Sequence, residues 1–88
     1  MEVKILKDEK DNLVIELDNQ TAAELLRVYL NKDDAVLLAA WKREHPEKPI
    51  IFEIKTKGKT AKRALNDAVE DIEKETSKIL DEFKKAMK

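Results

Sequence analysis

Residues 60–88 contain no proline and no glycine, and their apolar residues recur at Ala61, Ala64, Leu65, Ala68, Ile72, Ile79, Phe83 and Ala86. Those steps are mostly threes and fours, the period of one helix face. A helix of about 27 residues would be roughly 40 Å long at about 1.5 Å per residue. A strand of about 7 residues reaches only roughly 23 Å. A sheet built from the rest of this chain therefore supports the first half of such a helix and not all of it. Ile72 falls near the sheet's margin, and Ile79, Leu80, Phe83 and Met87 overhang with one side still apolar. An overhanging apolar stripe is a common reason for a helix to need a partner. The plain alternative is that the last turns fray or fold over a neighbouring loop.

The remaining residues decide what the helix packs on. Residues 1–6 alternate, with Val3 and Ile5 on one side, and read as a strand. Residues 7–12 (KDEKDN) are polar and turn-forming. Leu13, Ile15 and Leu17 alternate with Val14 and Glu16, a second strand that should form a hairpin with the first. Thr21 and Glu24 fit a capping box, with Asp18 and Asn19 as rival caps. Ala22, Leu25, Leu26 and Tyr29 follow at helical spacing, Val28 and Leu30 widen the stripe, and the helix should end near Asn31. Residues 35–41 (AVLLAAW) are apolar on both faces, as expected of a strand covered on two sides or of a buried helix. Length and position favour the strand. Residues 42–49 hold both prolines and read as a loop. Ile50, Phe52 and Ile54 alternate with Ile51, Glu53 and Lys55 as a fourth strand, and Lys57-Gly58-Lys59 turns into the long helix. The predicted order is β-β-α-β-β-α: one α+β domain over residues 1–88, an antiparallel four-stranded sheet with both helices on one face.

Composition narrows the function classes. There is no cysteine, hence no disulfide framework, thiolate metal site or thiol nucleophile, which suits a reducing compartment. No apolar run approaches the roughly 20 residues of a membrane span, and no signal-peptide pattern opens the chain. A cytoplasmic protein with no membrane partner is expected. Basic and acidic residues number 18 and 19, so net charge gives no reason to expect direct nucleic-acid binding.

Four patterns invite a chemical reading. Gly58-Lys59-Thr60 lies between a strand and a helix, but a phosphate loop needs glycine five residues before Gly58, where Glu53 stands. Lys55, Lys57, Lys59, Lys62 and Arg63 cluster around a helix start, where an anion is conceivable. The plainer reading is a solvated loop. His45 is the lone histidine and lies beside Pro46, which is turn chemistry more simply than catalysis or metal ligation. Asp67, Glu70, Asp71, Glu73 and Glu75 follow helical surface spacing and read as a solvated face. Trp41 and Tyr29 read as core or interface anchors. No cofactor, metal or catalytic constellation is expected.

The element order and several short motifs resemble a known family. Leu30-Asn31-Lys32-Asp33, Val36, Ala39-Ala40-Trp41-Lys42 and Glu44-His45-Pro46 are similar to archaeal RNA polymerase subunit L and its eukaryotic counterparts. Those proteins are similar in turn to the dimerising domain of bacterial polymerase alpha. Ile54-Lys55-Thr56, Ala64-Leu65 and Ala68 extend the resemblance over nearly the whole chain. At the first helix the family reads His-Thr-x-x-Asn-Leu-Leu-Arg. Here Thr21, Leu25, Leu26 and Arg27 match, while Gln20 and Glu24 replace the histidine and the asparagine.

The resemblance implies a non-catalytic assembly subunit of a DNA-directed RNA polymerase, paired through its two helices with a related subunit. The alternative is a redesigned or stand-alone protein on the same fold, without a biological function, pairing with itself. In either case the expected pairing surface is Leu25, Leu26, Val28, Tyr29 and Leu30 on the first helix with Ile72, Ile79 and Phe83 on the second.

Overall fold

The computed structural model describes residues 2–76. Strands β1 (Val3–Glu9) and β2 (Asn12–Leu17) precede helix α1 (Gln20–Leu30). Strands β3 (Val36–Lys42) and β4 (Ile50–Thr56) then lead into helix α2 (Ala61–Thr76). All pairings are antiparallel and the sheet order is β1-β2-β4-β3. This is the predicted α+β architecture.

Period-2 alternation builds one dry face of the sheet. Leu13, Ile15 and Leu17 on β2 and Ile50, Phe52 and Ile54 on β4 are all buried. Ile15 lies opposite Phe52 in the register. Val14, Glu16, Ile51 and Glu53 point the other way and are half-buried among themselves. Both helices lie on the dry face. α1 covers it with Ala22, Ala23, Leu26 and Leu30, and α2 with Ala61, Ala64, Leu65, Ala68, Val69 and Ile72. Val69 completes a stripe that the helical spacing of its neighbours already marks.

Both helix starts have identifiable caps. Asn19 caps α1, its Oδ1 accepting from Ala22 N at 3.0 Å. The Thr21–Glu24 capping box does not form, because Gln20 is already helical and Thr21 lies inside the first turn. Asn31 ends α1 as expected, its amide nitrogen donating to Arg27 O at 2.8 Å. Thr60 caps α2 by accepting from Arg63 N at 3.1 Å. The tip of the first hairpin also serves α2, with Lys10 O accepting from Ala61 N at 2.8 Å. A free N–H of the first turn is thereby satisfied by a strand connection rather than by water.

Two expectations for the strands change. The polar segment at residues 7–12 is mostly strand: β1 runs on to Glu9, and the turn is only Lys10-Asp11. An outer strand carries polar residues at no desolvation cost, which is why composition alone misplaced its end. β3 is not covered on two sides. It is an edge strand with a register shift between Val36 and Leu38, and Leu37, the extra residue there, is 66% exposed. β3's apolar run reflects one face under α1 and a bulge that turns Leu37 outward. Bulges of this kind blunt an edge against pairing with other chains. β1 repeats the device: a shift between Ile5 and Lys7 leaves Leu6 exposed.

Gly58 has φ +83°, in the left-handed region that glycine occupies without strain, and turns the chain from β4 toward α2.

Candidate pairing surface

The outward side of α1 is uncharged at its centre. Thr21, Leu25 and Val28 follow one another at i, i+4 and i+7, so they share one helix face. Val28 is 43% exposed and Leu25 half-buried. With Gln20 and Glu24 they line a shallow apolar depression. Tyr29 stands beside this stripe, half-buried, with Lys32 Nζ 4.4 Å from its ring centre. Its hydroxyl donates to Glu75 Oε1 on α2 at 3.4 Å, a long contact. Burial, followed by the nearby Glu75 carboxylate, raises the tyrosine's pKa above its ordinary value.

The stripe is held in place from behind. Glu24 Oε1 accepts from Trp41 Nε1 at 2.8 Å and from Arg27 Nε at 3.1 Å, joining α1 to the edge strand β3. The Arg27 bond and then the Trp41 bond draw the Glu24 pKa down, and the carboxylate raises that of Arg27 in return. Glu24 thus serves a structural contact in place of a cap. Trp41 faces α1 rather than standing free as a stacking platform.

Of the eight expected surface residues, Leu25, Val28 and Tyr29 reach the surface of α1. Leu26, Leu30 and Ile72 do not, being 0% exposed within the chain itself. They fall on the core-facing side of their helices, where the width of the apolar arc made them look available. Their role is to seat the helices on the sheet. Ile79 and Phe83 lie outside the described residues, as does the stretch where the overhang was expected.

The basic cluster does not behave as a solvated loop throughout. Lys59 Nζ lies 2.6 Å from Asp33 Oδ2 and 2.5 Å from Asp67 Oδ2. Lys62 pairs with Asp8 at 2.8 Å, and Arg63 approaches Asp67 at 3.4 Å. Three of the five cations are thus answered by carboxylates of the same chain, which weakens the field an anion would meet. Lys59 contacts are invisible to local sequence patterns, since Asp33 is 26 residues away. Glu53, in the place of a phosphate-loop glycine, accepts from Asn12 Nδ2 at 3.0 Å on the outer face of the sheet.

His45 makes turn contacts. Its Nδ1 accepts from Glu47 N at 3.2 Å and its carbonyl from Lys48 N at 2.8 Å. Among the described residues no group of three or more metal-ligating side chains converges, and no helix is long and apolar enough to cross a membrane.

The chain is thus an α+β fold: a four-stranded antiparallel sheet backed on one face by two helices, one of which carries an uncharged stripe on its outer side. The comparisons with known proteins agree. The family model described as the RNA polymerase Rpb3/Rpb11 dimerisation domain matches residues 11–82. DNA-directed RNA polymerase subunit Rpo11 of Sulfurisphaera tokodaii is 36% identical over 88 residues, covering 96% of this chain and 95% of that protein. The Rpo11 of Pyrococcus horikoshii is 34% identical over 95 residues, covering 100% and 99%. The crystal structure of DNA-directed RNA polymerase subunit L from Thermoplasma acidophilum has the same fold. It superposes with a TM-score of 0.75 at 22% identity, over 85% of this chain and 77% of that one.

The chain belongs to the RNA polymerase Rpb3/Rpb11 dimerisation-domain family.

Proposed function

We propose that this chain is a non-catalytic assembly subunit of a DNA-directed RNA polymerase, pairing through α1 and the C-terminal helix with an Rpb3-type subunit. The observation that carries the reading is the Thr21–Leu25–Val28 stripe. It is uncharged, outward-facing and backed by a fully packed core, in a chain of the dimerisation-domain family. The relatives named Rpo11 match nearly end to end, which favours a polymerase subunit over a stand-alone protein on the same fold. The subunit would act in the cytoplasm, where an archaeal-type polymerase transcribes. It would nucleate assembly by presenting helices to a related chain, and would neither bind template nor take part in phosphodiester formation.

Co-expression with the Rpb3-type subunit of Sulfurisphaera tokodaii polymerase tests this. The expected result is a one-to-one complex that survives gel filtration. If the Rpo11 of that organism forms the complex and this chain stays monomeric, or pairs only with itself, the proposal is wrong.

A further inference from the structure

The turn after α1 and the turn before α2 meet at one lysine. Lys59 belongs to the β4–α2 connection, Asp33 to the α1–β3 connection and Asp67 to the second turn of α2. The lysine's Nζ contacts both carboxylates, at 2.6 and 2.5 Å, and the three side chains keep between a quarter and a third or so of their surface in water, Asp67 most at 37%. Asp33 is held independently, because its Oδ1 accepts from Ala35 N at 2.9 Å. The same two connections are joined by Lys57 N donating to Ala35 O at 2.9 Å.

Asp33, Lys59 and Asp67 line a groove of about 370 Å³ between α1 and α2. Tyr29, beside the outward stripe, also lines it, as do Ala64 and Ala68 of α2. Helices set their mutual position by fitting side-chain ridges into grooves. Ala64 and Ala68 present only methyl groups to the groove, so the larger buried side chains that fix the helices lie deeper, toward the sheet. One polar contact across the groove, Tyr29 to Glu75, is long and exposed. The ion triad adds a charged tie between the turn that leaves α1 and the body of α2, beside the buried packing of Leu26, Leu30, Leu65 and Ile72.

We infer that Lys59 is a positioning residue for subunit pairing: by bridging Asp33 and Asp67 it fixes the spacing of α1 and α2, and so the shape of the surface formed by Leu25, Val28 and Tyr29, without itself touching the partner. The inference rests on the reading that pairing runs through these helices. Its consequence is that Lys59 governs affinity more than stability, since ion pairs at a protein surface contribute little to folding.

The test uses the full chain and the Rpb3-type subunit of Sulfurisphaera tokodaii polymerase, with dissociation constants measured well below the melting temperature. Lys59→Met keeps the length of the side chain and removes the charge. It should leave the chain folded and weaken pairing about three- to tenfold, the range of substitutions that act through a neighbouring element. Lys59→Arg, which can still bridge two carboxylates, should restore most of the affinity. The gap between wild type and Lys59→Met should close near 1 M salt, where screening acts within about 3 Å. A lysine that acts only on the fold would lower the melting temperature of Lys59→Met and leave its affinity, measured on folded protein, unchanged.

Asp33→Asn preserves the acceptor for Ala35 N and removes the charge, and serves if Lys59→Met fails to fold; it should weaken pairing similarly. Unchanged affinity in the folded variants overturns the inference. Val28→Glu separates the two readings. If it abolishes pairing while Lys59→Met and Asp33→Asn leave it intact, the inference about Lys59 alone fails. If Val28→Glu also leaves pairing intact, the helix-surface reading fails and this inference with it.

Discussion

Val28→Glu separates pairing from folding most cleanly. Val28 is 43% exposed in the single chain and stands at the C-terminal end of the uncharged stripe. Fully burying a valine is worth about 1.5 kcal/mol or somewhat more, so covering its remaining exposed part contributes about 1 kcal/mol to the complex. A glutamate in its place forfeits that and brings a carboxylate into a closed contact, at a cost of several kcal/mol if no cation answers it. Taking about 2 to 3 kcal/mol for the charge, the sum is about 3 to 4 kcal/mol, or a loss of affinity of about 100- to 1,000-fold. The monomer should be indifferent. The side chain already reaches water, and glutamate has a slightly better helix propensity than valine, so its stability should move by less than about 0.5 kcal/mol. Calorimetric titration against the Rpb3-type subunit gives the affinity, and thermal melting of the isolated chain gives the control. A variant that binds within about threefold of wild type would refute the assignment of this face. So would one whose weaker binding is matched by a collapse in melting temperature, because the effect would then be on the fold.

The opposite pattern is expected one residue position away from the stripe. Leu26→Ala removes a fully buried side chain and should cost about 2 to 5 kcal/mol, lowering the melting temperature by at least about 10 °C. Gly58→Ala meets open space around the new Cβ but must hold φ +83°, so it should cost about 1 to 2 kcal/mol by chemical denaturation, while Gly58→Asn should cost less. The Asp33–Lys59 pair should shape stability at both ends of the pH scale. The Lys59 hydrogen bond, then that from Ala35, depresses the Asp33 pKa, so its contribution is present above the ordinary aspartate value of about 3.9 and is lost as pH falls through the depressed one. Asp33 first, then Asp67, raises the Lys59 pKa, so its contribution is present below about 10.4 and is lost as pH rises through the elevated value. Melting temperatures of Lys59→Met should accordingly fall off less at both extremes than those of wild type; parallel profiles would contradict this.

The sheet and both helices were legible because their signals are local. Ile50, Phe52 and Ile54 alternate, the apolar residues of α2 recur every three or four, and both patterns survive whatever lies across the fold. The caps show where locality runs out. Thr21 and Glu24 have the spacing of a capping box, yet Asn19 takes the cap because the first turn begins one residue before Thr21. Glu24 is instead drawn to Trp41, which the sequence places 17 residues away. Which residues of α1 reach its surface was half legible. A stripe wide enough to include Leu25, Leu26, Val28, Tyr29 and Leu30 does not say which edge faces the sheet, and the sheet claims Leu26 and Leu30. Ile72 was assigned to the margin from the length of an average strand. In the fold it lies fully under the helix, so the sheet and its connections support α2 at least that far. The Lys59 bridge to Asp33 had no sequence signal, since the two residues come from separate connections, 26 residues apart, and only the closed fold brings them and Asp67 of α2 together.

Site-specific photocrosslinking tests the central claim most directly. A benzophenone amino acid placed at Val28, on the outward face of α1, is compared with one at Ala40, exposed on the strand face turned away from the helices. Each variant is co-expressed with the Rpb3-type subunit and irradiated. Pairing through the helices predicts a covalent adduct to that subunit from position 28 and none from position 40. An adduct from position 40 with none from position 28 would contradict it.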